Sequence, residues 1–249
     1  FRQQFLDRWR GFHSLRFMDW GRTNNNKLVR WADRVLPTSQ TQGSEHGVAM
    51  EYMVALVNEL DCDAWICVPH LADDDYVQQL ARLLKSSLEP SRKVYLEYSN
   101  EVWNYQFAQA RFARTEGLRI GLSTDPTVAT ARYYAKRSTE VFALFRAAFQ
   151  ANGRVVRVLA SQNANPWISE QILTWQSTHS KADALAVAPY FGGEFGNPQN
   201  VDQTLQWTDD QLLTACQNEI RTVLAKTQGH AAHATRHNLR LLAYEGGQH

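Results

Sequence analysis

The chain has 249 residues, 44% of them hydrophobic, and a formal net charge of +1. That length suits one large α/β domain with a sizeable core, and the near-neutral balance argues against a nucleic-acid surface or an anionic membrane as partner. No run approaches the roughly 18 apolar residues of a membrane span, and Cys62, Cys67 and Cys216 lack metal-site spacing and read as buried thiols.

The chain starts at Phe1 with no charged-then-apolar leader, so it reads as a segment cut from a longer product. Apolar runs of strand length then recur between stretches of helical spacing, the pattern of a parallel sheet built from βαβ units. Strands are expected at 14–19, 64–69, 94–99, 155–161, 184–189 and 239–244. Helices are expected from apolar residues three and four apart: Val48, Met53, Val57 and Leu60, then Val77, Leu80, Ala81 and Leu84 with Asp74 or Asp75 as N-cap. Val141, Phe142, Phe145 and Phe149 mark a third, and Leu212, Leu213, Cys216, Ile220 and Leu224 a fourth. The polar segments 21–44, 104–127 and 192–208 read as long loops, which in a compact domain usually serve function. No repeat, linker or low-complexity tract divides the chain, so 1–249 is expected to form a single domain. Six strands are two short of a closed (β/α)₈ TIM barrel. The expectation is an incomplete barrel whose first and last strands lie outside this chain, with an open sheet as the alternative.

Alternation along strands assigns facing. Tyr95, Glu97, Ser99 and Glu101 share one side, which the aliphatic and aromatic opposite side leaves pointing inward. Leu241, Ala243 and Glu245 are expected inward on the last strand, and Ala184, Ala186, Ala188 and Tyr190 form a narrow inner series. A deep Glu97 needs a cationic partner, and Arg16 on the first strand can supply it. Two glutamates, Glu101 and Glu245, then meet at the carboxyl ends of the strands. Paired carboxylates are what glycosidic cleavage requires, one to protonate the leaving oxygen and one to attack.

These residues resemble the clan A retaining glycoside hydrolases, a superfamily of (β/α)₈ barrels. In that clan Asn-Glu ends the fourth strand and a second Glu ends the seventh. An arginine on the second strand, a histidine after the third and a tyrosine on the sixth complete the site. Asn100-Glu101, Glu245, Arg16, His70 and Tyr190 fall in that order here. The spans Val-Pro-His-Leu-Ala-Asp-Asp-Asp-Tyr76 and Glu97-Tyr-Ser-Asn-Glu-Val-Trp-Asn104 further resemble a bacterial glycosidase-like subgroup. The clan's first and eighth strands have no counterpart.

The resemblance implies that Glu101 is the general acid/base and Glu245 the nucleophile, about 5 Å apart. It implies that Arg16 and Tyr190 keep Glu245 ionised and that Asn100 binds the hydroxyl next to the anomeric carbon. His70 would contact the same sugar or orient Asn100. Its expected function is a retaining β-glycoside hydrolase, secreted or periplasmic, acting on a neutral polysaccharide or oligosaccharide without cofactor, metal, nucleic acid or membrane. A non-catalytic carbohydrate-binding barrel of the same fold is the alternative. Trp20, Trp103, Trp167, Phe191 and Trp207 lie beyond strand ends, where rings can stack on sugars, and Gln162 is placed to line the cleft.

Each residue also has a plainer reading. Either glutamate alone is a solvated charge, Arg16 a counter-ion for Glu97, His70 a structural histidine, Tyr190 a core cap and each tryptophan loop packing. His70 with Asp73, Asp74 and Asp75 admits a metal-dependent hydrolase, but carboxylates where a helix begins are more simply caps. Arg22-Thr-Asn-Asn-Asn26 reads as a turn. The oligomeric state is left open.

Overall fold

A computed structural model describes residues 1–249. Six parallel strands form one sheet: β1 (Ser14–Arg16), β2 (Asp63–Val68), β3 (Val94–Tyr98), β4 (Val155–Ala160), β5 (Ala184–Val187) and, beyond the short β6 (Tyr190–Phe191), β7 (Arg240–Ala243). Their order is β1-β2-β3-β4-β5-β7, and β6 pairs separately with β8 (Gly247–Gln248). Each main strand falls within or beside an expected apolar run. Strands β2 to β5 are largely buried on both faces, the outer one against the helical core and the inner one in a cluster that includes Trp65, Cys67, Tyr95 and Val158.

The expected (β/α)₈ barrel, incomplete in this chain by its first and last strands, is not what forms. The sheet is an open half-barrel, with β1 and β7 as edges that do not pair with each other. Closure needs about eight staves tilted and sheared into register, and six apolar segments supply only part of that circumference. The sheet still curls enough for the Arg16 side chain from β1 to reach Glu245, just past β7, at 2.7 Å. Two long side chains bridge where backbone hydrogen bonds would run in a closed barrel.

Helices α1 (Gln3–Trp9), α2 (Met50–Leu60), α3 (Asp74–Ser87), α4 (Ala108–Arg119), α5 (Pro126–Ala148), α6 (Pro166–Thr174), α7 (Val201–Thr204) and α8 (Asp209–Arg236) complete the chain. Asp73 caps α3 by accepting from the Tyr76 N–H at 2.7 Å, and Asp74 pairs with Arg137 of α5 at 2.7 Å. The cap is thus Asp73 and not the expected Asp74 or Asp75; Asp74 makes a surface bridge, and Asp75 accepts from Gln79 at 3.4 Å.

Helix α4 falls inside the segment expected to be a loop. Its buried stripe is Gln109, Ala110, Ala113 and Gly117, small or polar residues with little hydrophobic signal. The small side chains let α4 lie close against α5: a Cβ on Gly117 would come within 2.3 Å of the Ala129 carbonyl oxygen. The fourth expected helix exists as α8, but its apolar face is not buried. Leu212, Leu213 and Leu224 are exposed, Cys216 is half-buried, and only His230 and Ala234 of α8 are buried. At about 1.5 Å per residue the helix runs about 42 Å, far beyond the four-residue strands beside it, so its amino-terminal part overshoots the sheet.

The register of β7 also differs from expectation. Leu242 and Tyr244 face the inner cluster, with Trp65, Cys67 and Tyr95, whereas Leu241 packs against the helical core. Alternation therefore puts Glu245 outward. It reaches the inner rim because the chain bends after Ala243, where regular strand geometry has ended.

Candidate active site at the strand ends

The inner face is lined by apolar and aromatic groups and floored by one carboxylate. Glu97 is fully buried on β3 and accepts from Arg16 Nε and Nη2 at 3.0 Å each and from Trp65 Nε1 at 2.8 Å. The Cys67 thiol lies 3.5 Å from the same carboxylate. A buried charge persists only when its lone pairs are met in this way.

Held from below, the Arg16 guanidinium turns its remaining donors to the rim. Nη1 donates to Glu245 Oε1 at 2.7 Å and Nη2 to Asn100 Oδ1 at 2.8 Å. Its plane lies over the Tyr244 ring, 4.9 Å from the centroid. Tyr190 donates its hydroxyl to Glu245 Oε2 at 2.6 Å, so both oxygens of Glu245 accept a hydrogen bond. Burial first, then that bond and the charge of Glu245, push the Tyr190 phenol well above its usual range.

Glu101 sits on the same rim in a different environment. Strand β3 ends at Tyr98, and the next residues leave extended geometry: Ser99 and Glu101 both adopt left-handed backbone, with φ of 61° and 43°. Non-glycine residues in that region mark a locally imposed conformation. The turn is closed by the Asn104 N–H donating to the Glu101 carbonyl at 2.8 Å. The carboxylate accepts from Asn104 Nδ2 at 3.0 Å and from the Tyr244 hydroxyl at 3.3 Å. Burial raises the Glu101 pKa and the nearby charge of Glu245 raises it further, against those two donors and Arg16. Desolvation and a like charge favour the protonated acid.

Of the expected site residues, Glu101, Glu245, Arg16, Asn100 and Tyr190 are brought together. His70, just past β2, is nearly buried, packs edge-on to Phe112 at 5.5 Å and leaves Nδ1 without a partner. Burial depresses its pKa to about 4, so the ring is neutral near pH 7. No hydrogen bond joins it to the glutamates. Trp103 lines a small apolar pocket with Tyr105, Tyr134, Ile168 and Ile172, its indole N–H buried without an acceptor. Gln162 is half-buried beyond β4, and its side chain makes no hydrogen bond to the cluster. Trp20 stacks on Phe5 and Trp207 meets Phe195 edge-on, whereas Trp167 is exposed.

Sequence reasoning did not assign Asn104, Tyr244 or Gln109 to the site. Tyr244 was hidden by the one-residue register error on β7. Gln109 was hidden because α4 was not expected at all. The signal for Tyr244 was a large aromatic immediately before a strand-end glutamate, which suits an inward position better than alanine does.

The chain matches no protein-family model, no curated protein and no solved structure. No helix is long and apolar enough to cross a membrane.

Proposed function

We propose that this protein is a retaining β-glycoside hydrolase in which Glu101 is the acid/base and Glu245 the nucleophile. The observation that carries the proposal is the contrast between the two carboxyl groups on one rim. Glu245 has both oxygens held, by Arg16 and Tyr190, whereas Glu101 is partly desolvated and biased towards its protonated form. Neighbouring acids with divergent environments take divergent roles.

In the first step a Glu245 oxygen bonds to the anomeric carbon as the glycosidic C–O bond breaks, and the departing oxygen takes the Glu101 proton. In the second, Glu101 as carboxylate takes a proton from water, the water oxygen bonds to the anomeric carbon, and Glu245 is released. The Arg16 guanidinium is committed to Glu97, Glu245 and Asn100, so it has little left to pair with an acidic sugar. This favours a neutral oligosaccharide or polysaccharide. Such a substrate would place the protein outside the cytoplasm.

The test is release of reducing ends from a panel of neutral β-linked glycans, with the anomeric configuration of the first product read by NMR. Retention is expected, and Glu101→Gln and Glu245→Gln should each lower kcat by about 10²- to 10⁴-fold. Inversion would remove the nucleophile role from Glu245. Glycan binding without turnover by the unsubstituted protein would select a carbohydrate-binding protein instead.

A further inference from the structure

The segment Arg22–Asn26 reads as a turn, yet its side chains are wired into the site. Its backbone is itself specialised, with Arg22 and Asn25 left-handed at φ of 47° and 57°. Thr23 is fully buried, and Asn26 Nδ2 donates to the carbonyls of Gly21 and Arg22 at 3.0 Å each. The segment is also fastened to the first turn of α4, 83 and 84 residues away. Asn25 Oδ1 accepts from the Ala108 N–H at 2.7 Å while the Asn25 N–H donates to Gln109 Oε1 at 3.0 Å. This is the reciprocal logic of a helix capping box, made between distant parts of the chain.

Gln109 is fully buried and has its amide polarity dictated on every side. Nε2 donates to Asn24 Oδ1 at 2.6 Å and to the Asn100 carbonyl at 2.8 Å, and Oε1 takes the Asn25 N–H. Turning this amide over would set two oxygens against its oxygen. Asn24 Oδ1 in turn accepts from Asn100 Nδ2 at 2.9 Å, and Asn100 Oδ1 accepts from Arg16 at 2.8 Å. Arg16 then holds Glu245.

We propose that Gln109 and Asn24 are positioning residues, whose directional amide relay locks the Asn100 side-chain oxygen Oδ1 onto Arg16 and thereby orients the guanidinium that holds Glu245. The inference rests on the glycosidase reading for its catalytic consequence, but the lock itself is a property of three amides. An amide is nearly symmetric in shape and opposite in polarity at its two ends. Reversing one member therefore reverses the next: with oxygen in place of Gln109 Nε2, Asn24 would present its NH2 inward. Asn100 would then present its NH2 to Arg16, donor against donor.

Gln109→Glu, Asn24→Leu and Asn24→Asp separate the relay from simple packing. Asn24→Asp keeps an acceptor between Gln109 and Asn100, whereas Asn24→Leu keeps bulk and loses it. With a glycan that the unsubstituted protein cleaves, Gln109→Glu and Asn24→Leu should lower kcat about 10- to 100-fold. KM should move less than about threefold, and Asn24→Asp should recover most of the loss relative to Asn24→Leu. Side-chain amide spectra give a second readout independent of turnover. The Asn100 NH2 protons should exchange slowly in the unsubstituted protein and in Asn24→Asp, and fast in the other two, with thermal unfolding showing that each variant is folded. Slow Asn100 exchange or unchanged kcat in folded Asn24→Leu and Gln109→Glu would overturn the relay. If the unsubstituted protein cleaves nothing, the catalytic reading fails, and the amide spectra alone then decide whether the relay exists.

Discussion

Strands β3 and β7 each deliver a glutamate to the rim, and they hold it by opposite means. β3 lies in the middle of the sheet between β2 and β4, and all five of its residues are buried. Its glutamate, Glu101, is placed by local chain geometry: two left-handed residues and the short turn to Asn104. β7 is an edge strand with exposed ends. Its glutamate is turned inward by the bend after Ala243 and held there by side chains from elsewhere, Arg16 on β1 and Tyr190 on β6. Glu101 therefore rests on a turn that follows an interior strand, while Glu245 depends on partners that distant substitutions can remove.

The sharpest way to break this contrast is Arg16→Leu. It takes the cation from a fully buried Glu97 and a donor from Glu245 together. Removing one partner of a buried ion pair costs about 3–5 kcal/mol, which for a domain of this size lowers Tm by roughly 6–20 °C. Calorimetry checks it; a shift below about 2 °C would mean that Glu97 does not need Arg16.

Next is Tyr190→Phe, expected to lower kcat by about 10- to 100-fold, the scale of one hydrogen bond to a charged group. Tyr244→Phe removes the longer 3.3 Å bond to Glu101 and should cost less. Equal losses in the two variants would erase the distinction between the two glutamates.

A smaller effect is expected from pH. With Glu101 as the proposed acid, kcat/KM should fall as pH rises through its raised pKa. The same shift acts on stability. The folded chain holds this proton more tightly than the unfolded one, so stability falls as pH rises from about 4.3 through the folded-state value. Glu101→Gln should flatten that slope. His70 acts in the opposite sense: burial lowers its pKa to about 4, so stability is lost as pH falls from roughly 6.5 towards that value. Urea unfolding of the unsubstituted protein and of Glu101→Gln across about pH 3–8 separates the two contributions.

The smallest effect is expected far from the rim. Leu213 lies 59% exposed on the overshooting part of α8, so Leu213→Gln should change stability by no more than about 0.5 kcal/mol. A larger loss in urea unfolding would show that this face is covered in solution.

Much of the sheet was legible in the chain because long apolar runs have one economical use. Val94 to Tyr98 and Val155 to Ala160 can bury both faces only as interior parallel strands. The candidate glutamates were visible because a charge ending such a run is conspicuous. The Arg16–Glu97 pairing could also be anticipated, because a buried carboxylate demands a cation. Less visible were elements whose packing relies on small or polar residues. Gln109, Ala110, Ala113 and Gly117 carry almost no hydrophobic periodicity, yet they seat α4.

What this sequence determined by itself was local: where strands run, which helices are amphipathic and which residue types stand at strand ends. Tertiary structure decided the rest. It left the sheet open, because pairing between edges depends on how many strands share the curvature and not on any one strand's composition. It turned Glu245 inward through a bend that alternation cannot express, since the two-residue period stops where the ladder stops. It also exposed the apolar stripe of α8, because periodicity shows that a face exists but not whether a neighbour is long enough to cover it.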